Sequence, residues 1–323
     1  MDRRMHWYAG AFRTLAFLIQ NTITGNPNAF AIMQQVEKEE LLEIKKIDSI
    51  SYEDFINQYV KPGIPVVFKN ASASWKSKHT FDPDFFRNHF GHYTTTHKDK
   101  VYTMSEVLEI TEKSTPEKPA PYPMAFELRS QLPEFLAMLN PLHMNYAFPN
   151  WFNSRLIPKS RFGNDRQLYI GGVGNQYVLH KDLFHTDAWV TQLYGEKQFI
   201  AYPRDQEELL YPENKGTRSP INFLKPDYEK YPKYRDATPL SVVLQPGETI
   251  YIPNGIWHTT VAYCHNISIV VEQLSGNNFN AWKNDIFEYG KKRGLLKSIL
   301  QYGYAEAIGL LFKLRELTGY KFK

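Results

Sequence analysis

Eight short runs rich in β-branched and aromatic residues, each closed by a Gly, Pro or Asn turn, constrain this chain more than any other feature. They are IPVVFKN (64–70), RQLYIGGV (166–173), AWVTQLYG (188–195), KQFIAYP (197–203), LSVVLQPG (240–247), ETIYIPNG (248–255), IWHTTVAY (256–263) and ISIVVEQL (267–274). Runs of this length and composition read as strands, and several in succession predict an antiparallel sandwich or barrel. Helical patterns in SYEDFINQYV, DPDFFRNHF, TMSEVLEI and QLPEFLAML, all before residue 145, would decorate that β core.

The two ends are different. Tyr8, Ala11, Phe12, Leu15 and Ile19 recur at helical spacing, as do Leu296, Ile299, Leu300, Ala307, Ile308, Leu311 and Leu314. Terminal amphipathic helices either pack on their own domain or bury themselves against a second copy, so a homodimer through these helices is one expectation. Two stretches are loops by composition: TEKSTPEKPAPYP (111–123), with four prolines, and the Pro-rich insert 203–239. The insert is too long for slack in a compact domain, which predicts a substrate-facing lid or a packed excursion.

Composition narrows the chemistry. A formal charge of +4 over 323 residues, with no long block of like charge, gives nucleic-acid binding little support. The single cysteine, Cys264, excludes an intrachain disulfide and any Cys-rich zinc site, so a metal here must use His and carboxylate. The apolar run MHWYAGAFRTLAFLIQ is interrupted by Arg13 and is too short to span a bilayer, and the expected location is cytoplasmic with no membrane span.

The stretch VLHKDLFHTDAW carries His-x-Asp twice, as His180 with Asp182 and His185 with Asp187; His97 with Asp99 is a third. Chance gives roughly 0.4 such pairs in a chain of this composition, so most are bystanders. In a continuous strand, positions i and i+2 share a face while pairs offset by five residues face opposite ways, so the first two pairs could not share an ion. A distal ligand is available in His258, which follows a Pro-Asn-Gly turn. Two imidazoles and one carboxylate with open positions suit non-haem Fe(II) chemistry; zinc hydrolysis usually uses another ligand set.

The segments GGVGNQYVLHKD, AWVTQLYGEKQFIAYP and QPGETIYIPNGIWHTT, in that order, resemble the JmjC-type, cupin-like Fe(II)/2-oxoglutarate oxygenases. LKPDYEKYPKY is similar to a stretch of one member, the hypoxia-inducible-factor asparaginyl hydroxylase. The resemblance covers roughly residues 60–275 and implies a double-stranded β-helix, a cupin-like jelly-roll core that is mainly β with surrounding helices. It divides the chain into an N-terminal helical segment (1–60), a catalytic domain (61–275) and a C-terminal helical segment (276–323).

The resemblance also selects the register, because the spacing from His180 to Lys197 is similar to that in the lysyl-hydroxylating branch. It implies that His180, Asp182 and His258 bind Fe(II), that 2-oxoglutarate chelates the metal, and that Lys197 holds the far carboxylate. Tyr122, Tyr177, Thr186 and Asn175 are the further candidates for the cosubstrate site. Glu272 stands near a position often occupied by Asn in relatives. His185 and Asp187 are expected in the following turn, His97 at the surface, and Trp189 and Trp257 in barrel packing. The implied reaction uses O2 to convert 2-oxoglutarate to succinate while oxidising a substrate C–H bond, and the expected substrate is a peptide or protein side chain. Hydroxylation of a small molecule or a modified tRNA base, JmjC-type demethylation and a catalytically silent binding module are the alternatives.

Overall fold

A computed structural model describes residues 41–75, 80–139, 145–159, 161–213, 216–320 and 322. The N-terminal helix expected around Tyr8–Ile19 lies outside the described residues. Among the described residues there are thirteen strands: β1 (Leu42–Glu43), β2 (Lys46–Ile47), β3 (Val66–Phe68), β4 (Thr94–His97), β5 (Lys100–Thr103), β6 (Met124–Glu127), β7 (Arg166–Gly171), β8 (Asp187–Tyr194), β9 (Lys197–Tyr202), β10 (Leu240–Leu244), β11 (Thr249–Ile252), β12 (Trp257–Ala262) and β13 (Asn266–Gln273). All eight runs read as strands from the sequence contain one.

Seven strands form one sheet in the order β2-β3-β11-β8-β13-β7-β6, and four form a second in the order β1-β10-β9-β12. The second sheet is extended by residues 176–180, which run antiparallel to β12 through bridges from Gln176 to Val261 and from His180 to His258. Two facing sheets with this antiparallel weave are the jelly roll expected from the sequence.

Alternation along the strands explains the layers. Ala188 and Val190 face inward with Phe199, Val242, Leu244, Ile250 and Ile252, forming the core between the sheets. Their neighbour Trp189 points to the other face, where it packs with Phe55, Phe68 and Tyr251 beneath the short helix Tyr52–Phe55. Successive side chains of a strand alternate in this way, so one run of residues serves two cores. Trp257 is fully buried on the outside of the smaller sheet, against Leu210, Ile221, Phe223 and Tyr234 of the 203–239 insert. The insert is therefore a packed excursion, held by its own apolar anchors. Trp189 and Trp257 both serve packing, as the sequence reading expects.

The described part of the 1–60 segment is only partly helical: β1 pairs in parallel with β10 and β2 with β3, so this segment also edges both sheets. At the other end, helices Phe279–Lys291 and Leu295–Leu317 pack on each other and on Trp151 and Phe152. The second helix buries Ala305, Ile308, Gly309 and Phe312. Its opposite side exposes Leu296, Leu300, Leu310 and Leu317. Among the described residues, no helix is long and apolar enough to cross a membrane.

Candidate active site

The inward positions of both sheets converge on a cavity of about 250 Å³. His180 and His258 are brought together by register. They are opposite partners on neighbouring antiparallel segments, joined by reciprocal backbone hydrogen bonds of 2.9 and 2.8 Å, and their rings lie 4.2 Å apart. Asp182 completes the group. Its Oδ1 is 3.4 Å from His180 Nε2 and 3.9 Å from His258 Nε2, and one donor atom from each of the three residues lies within 4.8 Å of the others.

Protonation follows from what the other ring nitrogens touch. His180 Nδ1 sits 2.9 Å from the Val178 carbonyl and His258 Nδ1 sits 3.1 Å from the Ile256 carbonyl. A carbonyl can only accept, so both Nδ1 atoms carry a proton and both Nε2 atoms are turned toward Asp182. That is how metal-binding imidazoles are usually oriented. Burial, reinforced by His180, pushes the His258 imidazole down to about 4, so it is neutral at pH 7. Burial alone would raise the Asp182 carboxyl, but His258 and His180 hold it below its ordinary value. The trio presents two imidazole nitrogens and one carboxylate oxygen at one point, a donor set that could hold a divalent cation.

The chain does not run straight past Asp182. Residues Leu183–His185 form a short 3₁₀ turn in which Phe184 and His185 have φ of 61° and 48°, a conformation bulky residues rarely adopt. Phe184 is held there edge-on to Phe162 and Tyr289. The turn aims His185 outward, where its Nδ1 meets Asp285 Oδ2 at 2.6 Å. Asp187 is the first residue of β8 rather than part of the turn, and it is buried with its carboxylate accepting from the Asn254 backbone and side chain at 2.7 and 2.9 Å. Neither joins the metal-ligand group. His97, on the β4–β5 hairpin, is half-buried with Nδ1 3.3 Å from the Pro123 carbonyl, also apart from the site.

Lys197 lies inside the cavity, 3% exposed, with Nζ 3.1 Å from Ser268 Oγ and 3.3 Å from Tyr122 Oη. No ion pair to it is found among the described residues, and burial pushes its ammonium down to about 8. A buried lysine hydrogen-bonded only to hydroxyls is costly unless an anion joins it, which suits this position to receiving a carboxylate. Lys197 pairs with Ala262 and His258 with Ala201, so the lysine and the histidine stand four residues apart along β12.

Tyr122, Tyr177 and Thr186 line the same cavity. Tyr177 is edge-on to both Tyr122 and His180. Asn175 does not. Its Oδ1 accepts from the Gly172 N–H at 2.8 Å and its Nδ2 donates to the Ala120 carbonyl at 2.7 Å, fastening the glycine-rich turn to the Pro-rich loop. A side chain at Gly172 would collide with the Thr111 carbonyl, 2.3 Å from where its Cβ would stand. The first glycines of GGVGN thus permit close packing there.

Sequence reasoning passed over Asp165, Gln167, Tyr169, Thr260 and Ser268, all of which line the cavity. Period-two alternation was the available signal: Gln167 and Tyr169 share a face of β7, and Ser268, Val270 and Glu272 share a face of β13. Glu272 faces the cavity with Oε2 buried and lacking a hydrogen-bond partner. Burial and the nearby Asp182 raise its carboxyl well above the usual range.

Comparison with known proteins agrees with this architecture. The model of a family described as a cupin-like domain matches residues 52–273. Relatives include the "Arginine-specific demethylase JMJ20" of Arabidopsis thaliana, 24% identical over 76% of this chain and 60% of that protein. The "2-oxoglutarate and iron-dependent oxygenase JMJD4" of Gallus gallus is 24% identical over 73% of this chain and 60% of its own length. The human "HSPB1-associated protein 1" is 31% identical, over 30% of this chain and 21% of its own. The matched regions thus span about 60% of the first two relatives.

Proposed function

The chain belongs to the cupin-like domain family, and from that premise we propose that it is an Fe(II)- and 2-oxoglutarate-dependent oxygenase that hydroxylates a C–H bond on a peptide or protein side chain. The observation that carries this reading is the convergence of His180, Asp182 and His258 in a cavity that also holds the ammonium of Lys197. Fe(II) with 2-oxoglutarate, when bound, activates O2 and supplies C–H oxidation together with release of succinate and CO2.

The chain's own groups bind and orient. His180, Asp182 and His258 hold the metal, with the two Nδ1–H donors to backbone carbonyls fixing the imidazoles. Lys197, with Tyr122 and Ser268 beside its ammonium, receives the far carboxylate of 2-oxoglutarate. Tyr177 and Thr186 wall the space between that end and the metal. The aliphatic and aromatic inner faces exclude water around these charges, strengthening each contact.

The intact donor set and lysine favour an active enzyme over a silent binding module. Demethylation is a second reading, favoured by relatives named arginine-specific demethylases. We take residues 61–275 as the catalytic domain, a span that overlaps most of the 52–273 family match. The exposed leucines of helix Leu295–Leu317 support pairing with a second copy through the 276–323 segment. A cytoplasmic location fits a single cysteine left free.

The test measures succinate from purified protein given Fe(II), ascorbate and 2-oxoglutarate. Wild type is expected to turn over, and Lys197→Ala to raise the KM for 2-oxoglutarate by at least about 30-fold while still binding Fe(II). Equal succinate from wild type and Asp182→Ala would reject the proposal.

A further inference from the structure

The three members of the metal-ligand group are held in different ways. His180 and His258 each have a second hold on the protein, through Nδ1 and the carbonyls of Val178 and Ile256. Among the described residues Asp182 has none: its carboxylate meets only the two imidazoles, at 3.4 and 3.9 Å. A ligand without an outer partner takes its aim from the backbone that carries it. That backbone leads directly into the turn Leu183–His185.

The turn needs something to hold it. Phe184 and His185 lie in the left-handed region, at φ of 61° and 48°, where a Cβ is disfavoured and glycine is at ease. Leu183 is 62% exposed and His185 reaches only a partly exposed ion pair, so neither fixes the turn. Phe184 is the residue with a seat. Its ring is edge-on to Phe162 at 5.8 Å and to Tyr289 at 5.7 Å. Phe162 belongs to a second left-handed turn with Gly163, and a Cβ on that glycine would stand 2.6 Å from Thr186 Cγ2 and 3.5 Å from Phe184 Cβ, so the two turns interlock. Helix Phe279–Lys291 closes the assembly from outside. Its Trp282 Nε1 donates to the Phe162 carbonyl at 2.7 Å, and Tyr289, on the same helix face, supplies the second ring. This helix lies beyond the span 52–273 that matches the family.

We propose that Phe184 is a positioning residue for Asp182: its ring, clamped between Phe162 and Tyr289, keeps the turn left-handed and so keeps the carboxylate in front of both imidazoles. Edge-on aromatic contacts are directional, and a bulky residue persists in a left-handed conformation only where its surroundings over-determine the backbone. Through Tyr289, a helix outside the barrel takes part in shaping the metal site. The inference rests on the metal role given above to His180, Asp182 and His258.

The test titrates the full chain with Co(II), a coloured stand-in for Fe(II) whose visible absorption reports affinity and coordination geometry together. Phe184→Gly accepts the left-handed backbone but removes the ring. It is expected to weaken Co(II) binding at least about tenfold and to shift the absorption band, as loss of an outer partner of a metal ligand does. Tyr289→Ala, at a side chain 41% exposed, should weaken binding about threefold, while Tyr289→Phe, which keeps the ring, should match wild type. In an Asp182→Ala background, read at millimolar Co(II), Phe184→Gly should add no further loss, because the ligand it positions is gone. A general loosening of the fold would weaken both backgrounds alike.

Wild-type affinity in Phe184→Gly would overturn the proposal, as would equal losses with and without Asp182. If Phe184→Gly does not fold, Tyr289→Ala and Tyr289→Phe decide in the same two backgrounds: a loss confined to Tyr289→Ala and dependent on Asp182 supports the proposal, and any other pattern ends it. No Co(II) binding by wild type would end the metal reading as well, whereas binding that ignores residue 184 ends this inference alone.

Discussion

Two His-x-Asp pairs five residues apart have the same local sequence and opposite fates. His180 and Asp182 sit against β12, where His258 is the direct partner of His180, and the three side chains share one point. His185 and Asp187 are separated from that point by a turn with two left-handed residues, and each finds a structural partner instead, Asp285 and Asn254. The difference teaches that a ligand motif acquires meaning from the strand opposite it. A carboxylate two residues from a histidine is common; a second histidine across the ladder is not.

Removing a member of the first group should have the largest effect. Asp182→Ala and His258→Ala are each expected to weaken Fe(II) binding by more than about 100-fold, since even outer partners of metal ligands are worth 10- to 100-fold; metal analysis after equilibrium dialysis reads this directly. Retained stoichiometric iron in either variant would erase the distinction between the pairs.

Acid titration sharpens the same contrast. The unfolded chain takes up a proton at the ordinary histidine value of 6.5, whereas native His258 resists until about 4. As pH falls through that window the folded state loses on the order of 3 kcal/mol from this residue, and Fe(II) affinity falls as pH approaches 4. Thermal melts of wild type and His258→Ala between pH 7 and 4 should therefore converge. A gap that widens toward low pH in favour of wild type would contradict the burial argument.

Asp187→Ala should act on stability alone. Loss of the acceptor for two Asn254 donors is expected to cost about 1–3 kcal/mol in urea unfolding, while iron stoichiometry stays at the wild-type value. Burial pushes the Asp187 carboxyl up to about 6, against the pull of the Asn254 hydrogen bonds, so the native state favours its protonated form and this residue's contribution to stability declines as pH rises from 4 to 6. The smallest effect belongs to His185→Ala. Its link to Asp285 is 40% and 33% exposed on the two sides. A change within about 1 kcal/mol and unchanged Fe(II) binding are expected.

Much of this was readable from the chain. The eight runs became strands because alternation and turn residues agree at each of them, and Lys197 stood out as a charge in an apolar run. The hairpin of β4 and β5 was missed because TTTH and KVYT carry little apolar signal and lie largely exposed. Strands β1 and β2, two residues each, are made by their neighbours rather than by propensity. Asn175 was a candidate for the cosubstrate site only through the family resemblance, and its hydrogen bonds go to backbone. The facing of Asp165 and Glu272, 107 residues apart in number, depends on the register of β7 and β13 and leaves no trace in either segment alone.

The most direct measurement is an anomalous difference map from a crystal of this protein grown anaerobically with Mn(II) in place of iron. One peak touching His180 Nε2, an Asp182 carboxylate oxygen and His258 Nε2 is the expected result. A peak at His185 and Asp285, or none within the cavity, would contradict the account.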